Sequence, residues 1–439
     1  MLSIKVICQT VAASVSATGV ILGLSGSAKV AAQAIADNMA PSLHLPALTG
    51  SYQVGTTSYD FVDPSRDDIY APEPTDKREL IAKVWYPSVA VSGATPAPYL
   101  DQALARAVAP GFCFSPDNFI ALTSLIQTHA NSVAAVSTAK SSYPVLLFSP
   151  GFGGLPEVYT FLAEELASHG YIVVSINHTY DSIASVFPDG RIALQSPLLR
   201  QPTEQDFTQD VEIRAADAVF VLNELEHLNA SDSQGLFTGH LNLKRVGILG
   251  HSLGGATAAS AMLQDHRFKA GVDMDGQLYG NVVQQGLEQP FMLLNSESGG
   301  TLNPTLEPFY EHLKNDAYNL TIKGAGHLNF TDESLLFQQL EAYSPALAAQ
   351  LNNDNSIGSI DANRGAQIID DYTLAFFDKY LKNQNSPLLN GADPNYPEVQ
   401  FSSRHGRHSN FSPRAELCSR VYDFCRHKSL VQEQAALRH

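Results

Sequence analysis

The chain has 439 residues, 44% of them hydrophobic, enough to bury the core of one large domain or two smaller ones, so disorder is excluded for most of its length. A formal net charge of −17 at pH 7 argues against nucleic acid or an anionic membrane surface as the main partner and fits a soluble, acidic protein.

The first segment, "MLSIKVICQTVAASVSATGVILGLSGSAKVAAQA", has one early lysine, an interrupted apolar run and then small residues. It reads as a secretory signal over residues 1–34, with Ala32-Gln33-Ala34 as the cleavage site and a secreted or periplasmic product. An uncleaved anchor over Val6 to Leu24 is the rival reading, weakened by Gly19, Gly23 and Gly26. No cysteine follows "LGLSGSA", so a lipidated anchor at that point is not supported. Of the four cysteines, Cys8 leaves with the signal, and Cys113, Cys418 and Cys425 allow at most one bridge. If "AELCSRVYDFCRHKSL" is helical, Cys418 and Cys425 lie about 10.5 Å apart, beyond disulfide reach, and the pairing stays open.

A single large domain is expected over residues 35–401. "SYQVGTTSYDFVD" and "RELIAKVWYPS" have the alternation of strands, with "PSRDDIYAPEPTDK" as turn and loop between them. Residues 95–142 are Ala- and Ser-rich and partly helical in "YLDQALARAV" and "NFIALTSLIQTHANSVAAV", in the manner of a cap insert. From Pro144 onward strands and helices alternate. The strands are "YPVLLFSP", "YIVVSIN", "RVGILG", "FKAGVDMD", "PFMLLNS" and "AYNLTIKG". The helices are "PEVYTFLAEELASHG", "TEQDFTQDVEIRAADAVFVLNELEHL", "GGATAASAMLQD", "TLEPFYEHLKN" and "AQIIDDYTLAFFDKYLK". In the long one, Phe207, Val211, Ala215, Ala218, Leu222 and Leu225 form one apolar stripe. Apolar strands separated by helices predict an α/β fold with a mostly parallel central sheet and helices on both faces. Residues 402–439 form a basic C-terminal extension, with seven Lys or Arg against three acidic residues, read as a solvated tail. Metal binding by "RHGRH" lacks ligand spacing.

Gly250-His251-Ser252-Leu253-Gly254 matches G-x-S-x-G, and the strand before it and helix after it give the match its weight. Such a turn exposes the Ser252 hydroxyl and aims the Leu253 N–H where an oxyanion forms, at the positive end of the helix. A serine nucleophile needs a base and an acid downstream. His327 follows the last strand of the series through a Gly-Ala-Gly loop, on the sheet edge where Ser252 must sit. His251 is read as part of the turn itself, and His178 as a pocket-lining or structural residue. For the acid, Asp275 and Glu297 each follow a strand and the pattern does not separate them; Asp273 reads as a buried structural carboxylate. "LLFSPGFGG" supplies a second oxyanion donor in the Phe152 N–H. That loop lacks the full dinucleotide pattern and is not a dinucleotide site; a serine nucleophile with its base and acid calls for neither an organic cofactor nor a metal.

These segments together, "VDPSRDD", "VWYPS", "FSPGFGG", "LASHGYIVVSINHTYDSIASVFPDGR", "VGILGHSLGGATA", "VDMDG", "NSE" and "GAGHLNFTD", resemble the platelet-activating factor acetylhydrolase family of the plasma, or isoform II, type, in a bacterial-like form. The likeness runs from about Ser51 to Lys382. It implies an α/β-hydrolase fold and a cofactor-free carboxylic ester hydrolase of the 1-alkyl-2-acetylglycerophosphocholine esterase kind. It also implies Ser252, Asp275 and His327 as the catalytic set, which selects Asp275 over Glu297, with the backbone of Phe152 and Leu253 as oxyanion donors. The implied substrate is a glycerophospholipid with a short or oxidised acyl chain, met by transient contact with a lipid surface; oligomeric state stays open. Pro150, where animal members carry histidine, and "DGQLYG" after the acid depart from the family pattern and bear on acyl and headgroup preference. A broad small-ester or polyester esterase is the alternative among enzymes. A catalytically inactive binding protein is the alternative from another class, and it would normally have lost a member of the set.

Overall fold

Central strands that are apolar throughout, buried on both faces, decide the layering. The computed structural model describes residues 42–406 apart from 74, 92, 94, 113, 344, 346–347 and 349–355. The expected signal segment, all four cysteines and the tail from 407 lie outside the described residues.

Ten strands form the central sheet: β1 (Gln53–Asp67), β2 (Lys77–Ser88), β3 (Asn131–Ser132), β4 (Tyr143–Ser149), β5 (Ile172–Asn177), β6 (Leu241–His251), β7 (Phe268–Met274), β8 (Phe291–Ser296), β9 (Ala317–Ile322) and β10 (Val399–Arg404). Their order is β10-β9-β8-β7-β6-β4-β5-β2-β1-β3. From β9 to β5 every neighbouring pair is parallel, while β1, β2 and β10 join antiparallel. Along β4 every residue is buried, yet alternate side chains enter different cores. Leu146 and Phe148 pack with the helices α3 (Thr160–Ser168) and α7 (Ala362–Lys382) on one face. Val145 and Leu147 pack with α4 (Glu204–Ala230) and α5 (Leu253–Gln264) on the other. This is the mostly parallel, doubly covered sheet expected from the alternation, and the α/β-hydrolase fold.

Three local expectations change. β1 does not stop before Pro64 but continues to Asp67, with a register shift against β2 between Asp63 and Asp67 that absorbs the proline. Ser402 to Arg404, expected in a solvated extension, pair with Tyr318, Ala317 and their neighbours as part of the edge strand β10. In residues 95–142, helices α1 (Gln102–Val108) and α2 (Pro116–Thr123) form, but the helix expected to run on from "NFIALT" ends at Ser124, and short strands follow at Ile126–Gln127 and Asn131–Ser132. α1 and α2 share a separate apolar cluster with Leu155 and Ala184.

One buried carboxylate ties the C-terminal part of the fold to α3. Asp332, at the start of α6 (Asp332–Tyr343), accepts the Thr160 N–H at 3.0 Å and the Phe161 N–H at 2.9 Å. Those amides open α3 and have no partner within their own helix. Asp332→Ala strips both amides of this acceptor, leaving the Thr160 N–H only the Glu157 carbonyl, and is expected to lower unfolding free energy by about 1–3 kcal/mol in urea titrations.

Candidate active site

β6 runs up the middle of the sheet and α5 returns at once along its face, so the chain must reverse within one residue. Ser252 makes that turn with φ 57° and ψ −124°, a conformation an L-residue adopts only under constraint. Glycines supply the room. A Cβ on Gly254 would lie 1.8 Å from the Ser149 carbonyl oxygen, and one on Gly250 would lie 2.2 Å from the Gly254 oxygen. The Ser252 N–H donates to the Met274 carbonyl at 2.8 Å, which seats the turn beside the end of β7. Leu253 is the first residue of α5, so its amide faces outward without an intrahelical acceptor.

Beyond β4 the loop Pro150 to Gly154 folds against this turn: a Cβ on Gly151 would meet Ser252 Cβ at 3.3 Å. Gly153, at φ +70°, lets the loop curl, and the Gly154 N–H closes it onto the Gly151 carbonyl at 2.9 Å. Among the described residues the Phe152 amide donates to no main-chain carbonyl. A buried ionic layer holds the loop from beneath. The fully buried Arg214 guanidinium donates to the Pro150 carbonyl, and to Ser149 Oγ at 3.2 Å. The Gly153 N–H donates to Asp181 at 3.2 Å. Ser149 Oγ lies 2.9 Å from His178 Nε2, and His178 Nδ1 lies 2.8 Å from Asp217, which also pairs with Arg78 at 2.6 Å. Burial, with the Arg214 charge adding to it, pushes His178 down to about 4, so the ring is neutral at pH 7. His178 is therefore a structural link beneath the loop.

The candidate acid and base come from the next two loops. Asp275 follows β7 at φ 57°, and its Oδ1 accepts the Ser296 N–H at 2.7 Å. Its Oδ2 lies 2.6 Å from His327 Nδ1, with the Asp275 side chain only 3% exposed and that of His327 30% exposed. Burial would raise the Asp275 carboxyl, but the hydrogen bond and charge of His327 and the Ser296 amide outweigh it and hold the group below the ordinary aspartate range. Glu297 goes elsewhere: its Oε2 accepts the Gly324 N–H at 2.7 Å, bracing the loop that leads to His327. Asp273 is buried behind the serine turn, where Oδ1 accepts the Gly276 N–H at 2.9 Å and Oδ2 has no partner. Burial drives the Asp273 carboxyl well above the usual range. His251 is buried, its ring centroid 4.4 Å from that of His327.

A half-buried aromatic row borders the two amides. Phe152 meets Phe207 edge-on at 5.3 Å, and Phe207 meets Tyr279 at 5.8 Å, all packed on Leu253, Val211 and Ala256. The sequence reading placed Phe207 in an apolar core stripe and passed over Arg214, although a charged residue three positions after Val211 on that stripe was the available signal. Among the described residues no cluster of His, Cys, Asp or Glu is arranged to hold a metal ion.

With this geometry, similarity to known proteins is informative. Residues 38–396 match the sequence profile of the family described as platelet-activating factor acetylhydrolase, isoform II. A probable 1-alkyl-2-acetylglycerophosphocholine esterase of Arthroderma benhamiae is 29% identical over 84% of this chain and 96% of its own length. The platelet-activating factor acetylhydrolase of Cavia porcellus is also 29% identical, over 58% of this chain and 62% of its own. Among solved structures, a ferulic acid esterase from Streptomyces cinnamoneus superposes with a TM-score of 0.70 at 29% identity, covering 82% of this chain and 99% of the other. The chain belongs to the platelet-activating factor acetylhydrolase, isoform II, family, and it is a carboxylic ester hydrolase.

Proposed function

We propose that this protein is a serine esterase that releases short or oxidised acyl chains from glycerophospholipids through a Ser252-His327-Asp275 acyl-enzyme mechanism. The observation that carries the assignment is the 2.6 Å contact between Asp275 and His327 Nδ1 beside the strained Ser252 turn. Asp275, ionised and buried, fixes the His327 tautomer with its proton on Nδ1, which leaves Nε2 free to accept. His327 Nε2 takes the Ser252 hydroxyl proton as Oγ attacks the ester carbonyl, and the same proton then passes to the departing alcohol. The Phe152 and Leu253 amides receive the negative charge that develops on the carbonyl oxygen. Water, deprotonated by His327, releases the acyl group and restores the serine.

The substrate class is supported by family membership and by the names of its relatives. A second reading, hydrolysis of aryl or other small esters, is supported by the aromatic row of Phe152, Phe207 and Tyr279 and by the likeness to the ferulic acid esterase. Export is part of the proposal and rests on residues 1–34; no helix among the described residues is long and apolar enough to cross a membrane.

Four measurements test this. A fluorophosphonate probe labels folded wild-type protein at Ser252 and leaves Ser252→Ala unlabelled; a wild type that stays unlabelled is a binding protein instead. Asp275→Asn lowers kcat by about 10⁴-fold while Glu297→Gln stays within about twofold, and the reverse order would reassign the acid. Because the Asp275 pKa is depressed in the folded state, its stabilisation is present above the unfolded value of about 3.9 and is lost as pH falls through the folded one. The difference in unfolding free energy between wild type and Asp275→Asn, measured in urea, should therefore be full near pH 5 and shrink toward pH 2. Turnover of acetyl, butyryl and long-chain phospholipids against aryl esters decides between the two substrate readings: a preference for short-chain phospholipids upholds the first.

A further inference from the structure

Two loops must keep their relative position for hydrolysis at Ser252: the one that carries the Phe152 amide and the one that carries the His327 ring. Among the described residues no backbone-to-backbone hydrogen bond joins residues 150–154 to residues 324–330. Two buried side chains span the gap. The Gly151 N–H donates to Tyr159 Oη at 2.9 Å. Tyr159 Oη lies 3.0 Å from His251 Nδ1, and His251 Nε2 lies 3.0 Å from the His327 carbonyl oxygen.

The direction of every bond follows from its two ends. An amide N–H only donates and a carbonyl oxygen only accepts. The His327 carbonyl needs a donor, so the single ring proton of His251 sits on Nε2; Nδ1 must then accept, and the Tyr159 hydroxyl donates to it while its oxygen accepts the Gly151 N–H. A neutral ring in that one tautomer leaves no proton in the chain unmatched. Packing holds both rings in place: Phe148 lies 4.6 Å from Tyr159, and Phe330 stacks on His251 at 5.9 Å with an interplanar angle of 18°. Tyr159 and His251 are each 3% exposed. Burial, reinforced by the charge of His327, keeps His251 well below the ordinary histidine range, so it stays neutral when its neighbour takes up a proton.

We propose that Tyr159 and His251 act as a positioning pair that ties the oxyanion loop to the His327 loop, keeping the Phe152 amide and the His327 imidazole aligned about Ser252 while the tetrahedral intermediate forms. Neither side chain meets the substrate. The pair acts through the Gly151 amide on one side and the His327 main chain on the other, and it rests on the catalytic assignment proposed above.

The test compares Tyr159→Phe, His251→Leu, His251→Gln and the double variant Tyr159→Phe/His251→Leu, with each kcat expressed per site titrated by fluorophosphonate. Tyr159→Phe, which removes one oxygen and keeps the ring, should lower kcat roughly tenfold with KM within about twofold, because misalignment acts on the reacting geometry. His251→Gln retains an N–H for the His327 carbonyl and should recover several-fold of the activity lost in His251→Leu. The double variant should lose no more than the worse single variant, since either change breaks the same chain. A loss under about threefold in Tyr159→Phe overturns the proposal, as does a glutamine no better than leucine or a double loss equal to the product of the two singles. If His251→Leu does not fold, Tyr159→Phe decides alone. Wild-type protein that neither turns over esters nor labels at Ser252 would instead remove the catalytic assignment beneath it.

Discussion

Everything at the candidate site hangs on the backbone of Ser252. A residue at φ 57° and ψ −124° costs on the order of 1–3 kcal/mol and persists only if its surroundings over-determine it. Here they do. Gly254 is pressed against the Ser149 carbonyl, Gly255 against the Asp273 carboxyl, and the Ser252 amide is fastened to Met274. The same contacts that hold the strain bring the ends of β4, β6 and β7 together, so the oxyanion loop, the serine and the acid all depend on one packing arrangement. A side chain at Gly254 would disturb the whole group at once.

Two aspartates two residues apart show how environment sets chemistry on this edge of the sheet. Asp275 accepts from an amide and faces His327, so it is held ionised despite burial. Asp273 accepts from one amide with one oxygen, has an unpartnered second oxygen, and is pushed by burial well above the usual range. Beneath the oxyanion loop, Arg214, Asp181, His178, Asp217 and Arg78 form a buried ionic layer in which removing one member strands the charge of another, a loss of the order of 3–5 kcal/mol for such pairs. A loop of glycines and a proline has little rigidity of its own. Its precision comes from fixed charges below and from Tyr159 and Asp181 at its flanks.

Much of this architecture was legible in the sequence because it is written in local patterns. Alternating apolar strands, the helix stripe from Phe207 to Leu225 and the small residues around Ser252 each state a piece of the fold. The choice between Asp275 and Glu297 was not legible from pattern, since both end neighbouring parallel strands. What separates them is the positive φ of Asp275, which turns its carboxyl toward His327 while Glu297 caps the Gly324 amide. Arg214 was hidden because a buried charge on an apolar stripe is indistinguishable from a boundary residue until its partners, the Pro150 carbonyl and Ser149, are seen. Tyr159 was hidden for the same reason: its hydroxyl matters through His251, 92 positions away in the chain. The edge strand at Val399–Arg404 was masked by the basic composition that follows it.

The central claim is that the Ser252 turn, the Phe152 and Leu253 amides and the Asp275-His327 pair form one catalytic unit. A crystal structure of the protein after reaction with a dialkyl fluorophosphate tests it most directly. The account predicts phosphorus bonded to Ser252 Oγ, one phosphoryl oxygen within about 3 Å of both the Phe152 and Leu253 nitrogens, and His327 Nε2 within hydrogen-bonding distance of Ser252 Oγ or an ester oxygen. A phosphoryl oxygen pointing away from both amides, or an adduct on a residue other than Ser252, would contradict it.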